Sequence, residues 1–383
     1  MEATDAPAPG RPPLTPSFFR GPQGWPYLLV PFIPIAIALE LANASAGLIF
    51  FAAALGVIPT AALMGRATEE AASRSGPGIG GLLNVTFGNA PELIIALFAL
   101  EAGLQEVVKA SIIGSILGNI LLVMGAAMLA GGVTGGRKVQ RFDRTAASVQ
   151  SLMLLLAIVA LVMPAIFELV DGQGLPRVDD ERVAFDDTVE DLSIAVAVIL
   201  IATYVAGLVF SLRTHREIFN PDYEDAEDTW GWSIRTAVTA LAIAGVAVGV
   251  MSEILVGSIE AASESVGLSE FFIGVIVVAI VGNAAEHWVA VLVAIKDKMD
   301  LSVNIAIGSS AQVALFVAPV LVLLSFVLGP GPMPLVFNGF EIAAVILAVL
   351  IAQVVTNEGE STWFEGVQLL AVYAIVGLTF FFA

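Results

Sequence analysis

Apolar runs with short polar connections occupy nearly all of the chain from residue 25 onward, and they are too long and too evenly apolar for a soluble helix or strand pattern. A helix needs about 20 predominantly apolar residues to cross the hydrocarbon core. Windows of that kind predict eleven spans: 25–42, 46–65, 78–101, 106–132, 145–167, 189–212, 234–256, 270–295, 300–328, 333–355 and 363–382. The fold class this predicts is an all-α polytopic membrane protein. Only Asn43, Ala44 and Ser45 separate the first two spans, which implies a helical hairpin.

Within the spans a polar pattern recurs. Gly88-Asn89-Ala90-Pro91-Glu92 returns 194 positions on (88 to 282) as Gly282-Asn283-Ala284-Ala285-Glu286. The match extends without a gap: Glu106 aligns with Asp300, Gly114-Ser115 with Gly308-Ser309, and Leu121 and Val123 with Leu315 and Val317. In each copy the Ser follows the Glu by 23 residues (92 to 115, 286 to 309). Spans two to six (46–212) and seven to eleven (234–383) then form two five-helix units after a leading helix at 25–42. Five is odd, so the units lie in opposite orientations, the inverted-repeat plan in which each half supplies part of a site near the bilayer midplane.

Lysine and arginine accumulate on the cytoplasmic side of membrane proteins. With the N-terminus inside, Arg11, Arg20, Arg66, Arg74, Arg137, Lys138, Arg141, Arg144, Arg213, Arg216, Arg235, Lys296 and Lys298 fall inside, and only Lys109, Arg177 and Arg182 outside. The expected topology is N-terminus cytoplasmic and C-terminus outside, in a cell (inner) membrane rather than an organelle membrane. Residues 1–24 lack the pattern of a cleavable signal peptide and are expected to be a flexible tail, with the first apolar segment an uncleaved anchor. Residues 213–233 form an acidic cytoplasmic linker with Glu217, Asp222, Glu224, Asp225, Glu227 and Asp228, and without the ligand ladder of a helix-loop-helix calcium site.

Composition agrees with this and narrows the chemistry. The chain is 58% hydrophobic and 13% charged, which excludes an ordinary soluble domain. A net charge of −19 argues against nucleic acid as a partner. With no cysteine, and with His215 and His287 far apart, neither a thiolate metal site nor a zinc-hydrolase motif is present. No pairing of nucleophile and base emerges, so an enzyme is not expected.

An ionisable group at bilayer depth costs at least about 2.5 kcal/mol, so Glu92 and Glu286 at matched positions read as a binding site. Asn89 and Asn283 stand three residues before them and share their helix face. Gly88 and Gly282 weaken the helix and admit a neighbouring backbone. Pro91 has no N–H, which is expected to free the Phe87 carbonyl within the span. Ser115, Ser309, Gln312 and Asn119 are further candidate ligands, and His287 and Glu341 are candidates for a proton relay, with a packed histidine the plainer reading of His287. Carboxylates, amides, hydroxyls and carbonyls without sulfur suit a hard cation, and two carboxylates match a divalent charge. Ca²⁺ fits best as cargo, Mn²⁺ or another divalent ion is compatible, and no resident cofactor is expected. Held close in a poorly solvated cavity, the two acids cannot both stay ionised once the cation leaves. They would titrate as one coupled pair, so that protons and the cation compete for the same oxygens.

The stretches Gly81 to Glu92, Gly282 to His287, Lys296 to Asp300, Gly308 to Gln312 and Phe316 to Pro319 resemble the calcium/proton exchangers, the CAX branch of the calcium/cation antiporter superfamily. The resemblance covers nearly all of the chain after the tail. It implies that Glu92 and Glu286 are the central cation and proton sites, that the partners are Ca²⁺, H⁺ and the lipid bilayer, and that the acidic segment between the halves is a family feature. Pro91 departs from the Thr of many relatives. A sodium/calcium exchanger of the same superfamily and, from another class, a divalent-cation channel are the rival readings, and the oligomeric state stays open.

Overall fold

The structure is a computed structural model that describes residues 18–19, 21, 23–75, 80, 82–83, 86–134, 136, 138–178, 185–214 and 230–383. Most of the expected tail, His215 with the acidic stretch of the linker, and Gly81 and Asn84 of the first motif lie outside the described residues.

A 3₁₀ turn, Trp25–Leu29, leads into α1 (Phe32–Leu41). The further helices are α2 (Ala46–Arg74), α3 (Ala90–Glu101), α4 (Gln105–Thr134), α5 (Arg144–Val170), α6 (Asp187–Thr214), α7 (Ile234–Gly257), α8 (Ile259–Val266), α9 (Glu270–Ile295), α10 (Met299–Leu324), α11 (Gly339–Glu358) and α12 (Trp363–Phe382). Among the described residues nine of these are long and apolar enough to cross a membrane, and Trp25–Leu41 is a shorter apolar helix. Two two-residue strands, β1 (Gln140–Arg141) and β2 (Glu360–Ser361), pair antiparallel and tie the loop before α5 to the loop before α12.

The helices sort by the company their side chains keep. α4 and α10 form the centre: residues 112–121 of α4 and 313–315 of α10 are buried throughout. α6, α7, α11 and α12 turn Val198, Ile199, Ile243, Val246, Leu347, Ile375 and Leu378 outward, as helices facing lipid do. α2 packs along α7 and α5 along α11, while α9 crosses both halves of α4. At that crossing a Cβ on Gly114 would lie 2.0 Å from the Val275 carbonyl oxygen, so the two backbones touch. Small residues at such contacts are how membrane helices approach closely.

Several features differ from the sequence reading, among them an extra short helix, α8, and an α2 that runs on to Arg74. The span expected at 333–355 begins at Gly339, because Pro330, Pro332 and Pro334 withhold helical donors and Asn338 forms a capping box with Glu341. The span expected to run to 328 ends at Leu324. Lys109, read as a basic residue on the outer side, is 1% exposed inside α4, where it pairs with Glu106 and donates to the Val336 carbonyl at 3.0 Å. A buried, paired lysine carries no information about which side a loop occupies.

Candidate cation site

The two copies of the motif meet, although their local structures differ. In the second, Asn283 and Glu286 lie within α9, which runs from a π-helical turn, Ile273–Val278, into regular helix from Ala279. In the first, Gly88 and Asn89 form a turn and the helix starts at Ala90, with Pro91 in its first turn. Phe87 is helical, the turn at Gly88–Asn89 follows it, and Pro91 lies just beyond that turn in the first turn of α3. At that position its missing N–H has no intrahelical partner in any case. Phe87 itself packs with Met64, Ala90 and Ala244. The start of α3 also directs the positive end of its dipole toward Glu92 in the first turn.

Each motif joins the serine of the other copy. Ser309 of α10 donates to Asn89 Oδ1 at 2.9 Å, and Asn283 Nδ2 donates to Ser115 Oγ of α4 at 3.1 Å. Ser309 also lies 3.2 Å from Glu286 Oε2, and Asn89 Nδ2 donates to Gln312 Oε1 at 2.6 Å. The serines precede π-helical turns at Gly118–Val123 in α4 and Val313–Val317 in α10, at matched places in the two copies. Such turns widen a helix and occur mostly at functional sites.

Glu92 faces Gly282: a Cβ there would stand 3.3 Å from Glu92 Cγ. Glu286 is the charged neighbour of Glu92. Two oxygens in this centre, Glu92 Oε2 and Asn283 Oδ1, are buried and accept no hydrogen bond. Buried acceptors without donors are costly and rare, and a cation satisfies them as a donor would. Among the described residues no group of three or more His, Asp or Glu is arranged to hold a metal ion. A cation in this centre would thus rely on two carboxylates supplemented by amide and hydroxyl oxygens.

Glu92, Glu286, Asn89, Asn283, Ser115, Ser309, Gln312 and Gly282 form this connected group, with Gly88 beside it in the turn before Asn89. Asn119 and His287 pair with each other instead, Nε2 to Oδ1 at 3.1 Å, next to Gly118. Glu341 is in neither group. It is fully buried in the first turn of α11, where Oε2 accepts from the Asn338 backbone N–H at 2.9 Å, and its charged neighbours are Glu106 and Lys109. Sequence reasoning missed Gln150, which donates to Asn304 at 2.6 Å across α5 and α10. Both are amides in apolar runs, and that was the available signal.

Amide, carboxylate and hydroxyl groups from both copies of the motif thus lie together, an arrangement suited to holding a cation. The chain belongs to the sodium/calcium exchanger protein family, whose sequence profile matches residues 45–213 and 236–382. The Ca²⁺/H⁺ antiporter of Synechocystis sp. is 45% identical over 377 residues, covering 93% of this chain and 96% of that protein. The Ca²⁺/H⁺ antiporter ChaA of Bacillus subtilis is 43% identical, covering 91% of this chain and 96% of that protein. Among solved structures, native YfkE matches with a TM-score of 0.78 at 39% identity, covering 94% of this chain and all of the other (100%).

Proposed function

We propose that this multi-pass membrane protein is a secondary antiporter exchanging Ca²⁺ for H⁺ by alternating access, with Glu92 and Glu286 holding either one Ca²⁺ or protons. The observation that carries the reading is the pair of donorless buried oxygens, Glu92 Oε2 and Asn283 Oδ1, beside Glu286. Oxygens of this kind gain from a hard cation and, at the carboxylate, equally from a proton. Relatives that are Ca²⁺/H⁺ antiporters along nearly their whole length support proton coupling over sodium. The protein is a transporter rather than an enzyme, with Ca²⁺ as cargo, no resident cofactor, and Mn²⁺ an admissible second cargo.

The reciprocal Ser–Asn bonds and the matched π-helical turns support two inverted five-helix units, 46–212 and 234–383, after a leading helix at 25–42, giving eleven crossings. The basic residues favour a cytoplasmic N-terminus and an outer C-terminus. In proteoliposomes with the voltage clamped, radiolabelled Ca²⁺ should accumulate under an imposed proton gradient and not under a sodium gradient. Uptake driven by sodium alone would overturn the proton assignment, and flux indifferent to both gradients would indicate a channel.

A further inference from the structure

Among the described residues, exposure around the centre is uneven. Along α10 the partly exposed positions Leu301, Asn304, Ile305, Gly308 and Gln312 form one stripe, beginning at the exposed Asp300, while Ser302, Val303, Ala306, Ile307 and residues 309–311 are buried. A period near four traces one face of a helix. Across from it Gly88 is exposed, and residues 284–287 of α9 are partly exposed. In the stretch before α11 every residue from 333 to 338 is buried, held by Lys109 to the Val336 carbonyl and by Gln105 Nε2 to the Gly331 carbonyl at 2.8 Å.

The open stripe is apolar between its ends except at Asn304. From Asp300 to Ser309 the helix rises roughly 13 Å, and Asn304 lies about 6 Å above Asp300. Gln150 Nε2 holds Asn304 Oδ1 at 2.6 Å, which fixes the amide and leaves a second lone pair on that oxygen. Gly308 keeps the oxygen uncovered, since a Cβ there would stand 3.4 Å from Asn304 Oδ1. At the matching positions of α4 the chemistry differs: the position matching Asn304 is Ala110, packed against Gly274, and the carboxylate matching Asp300 is Glu106, paired with the buried Lys109. The matched stretches of α4 and α10 therefore carry different chemistry.

We propose that Asn304, oriented by Gln150, is a cation-contact residue on the route between the face bearing Asp300 and the central carboxylates, and that it serves cation traffic on that face alone. A divalent ion shedding water along this stripe needs an oxygen to replace it at each step. Asn304 supplies one midway between Asp300 and Ser309. The proposal rests on the antiporter reading, and its test separates the two.

Ca²⁺ uptake is measured under an imposed proton gradient in everted and in right-side-out membrane vesicles, which present opposite faces of the full chain to the medium. Asn304→Ala should raise KM for Ca²⁺ about three- to tenfold when the Asp300 face is presented and less than twofold from the other face. Asn304→Asp, which adds a charge at the same point, should lower KM on the Asp300 face only. An equal change from both faces, or no change in either variant, would overturn this inference while leaving the antiporter reading intact. Absence of proton-driven uptake by the unaltered protein in both vesicle types would overturn both.

Discussion

Gly282 stands directly against Glu92: a Cβ at position 282 would come within 3.3 Å of Glu92 Cγ and 3.6 Å of Ile95 Cδ1. The glycine of one motif thus makes room for the carboxylate of the other. Gly282→Ala should displace Glu92 by a few tenths of an ångström, and Gly282→Val by far more. Overpacking of this kind costs about 1–3 kcal/mol, which corresponds to a roughly 5- to 150-fold loss of Ca²⁺ affinity if the strain falls on the bound state. Calorimetric titration of Ca²⁺ into purified protein would measure it, and unchanged affinity in Gly282→Val would remove Gly282 from the site.

Lys109 provides a test of stability rather than transport. It is buried between Glu106 and the Val336 carbonyl, and it sits 5.7 Å from the Phe185 ring centroid. Lys109→Met strands the Glu106 carboxylate, and breaking a buried pair from one side typically costs about 3–5 kcal/mol. Thermal unfolding in detergent should shift down sharply in Lys109→Met and recover in large part when Glu106→Gln is added. A double variant no more stable than the single would show that the pair is not coupled.

Glu341 separates a capping role from a proton relay. Its side chain completes the box with Asn338 at the start of α11, and glutamine preserves that contact. Glu341→Gln is expected to exchange Ca²⁺ at near wild-type rates, whereas Glu341→Ala should lose about 1 kcal/mol of stability. Loss of proton-driven flux in Glu341→Gln with unfolding unchanged would return Glu341 to the proton path.

Competition for one set of oxygens fixes the sign of the pH dependence. Protons on Glu92 and Glu286 exclude the cation, so acidifying the Ca²⁺-loading side raises KM for Ca²⁺ and alkalinising it lowers KM. Where one proton is displaced the change approaches tenfold per pH unit. A KM independent of loading-side pH would mean that protons and Ca²⁺ occupy different groups.

The repeated Gly-Asn-Ala-x-Glu and the serine 23 residues beyond it (286 to 309) were enough to anticipate that Asn89, Glu286 and Ser309 come together, because polar groups at bilayer depth seek one another. Most of the long helices were legible from apolar length, but their ends and the short α8 were not. The turn at Gly88–Asn89 was not, since the same five-residue pattern is continuous helix at Gly282–Glu286. The pairing of Asn119 with His287, the buried state of Lys109 and the Gln150–Asn304 bond depend on which helices cross at which height. Local pattern carries no record of that.

The central claim is that Glu92 and Glu286 form one site occupied alternately by Ca²⁺ and protons. The most direct measurement is simultaneous recording of Ca²⁺ uptake and internal pH in proteoliposomes carrying the wild type, Glu92→Gln or Glu286→Gln. The account predicts that wild-type uptake is accompanied by proton release in a fixed ratio, and that both signals vanish together in each variant while the protein remains folded and inserted. Sustained Ca²⁺ uptake in either variant, or proton flux that survives without Ca²⁺ flux, would contradict it.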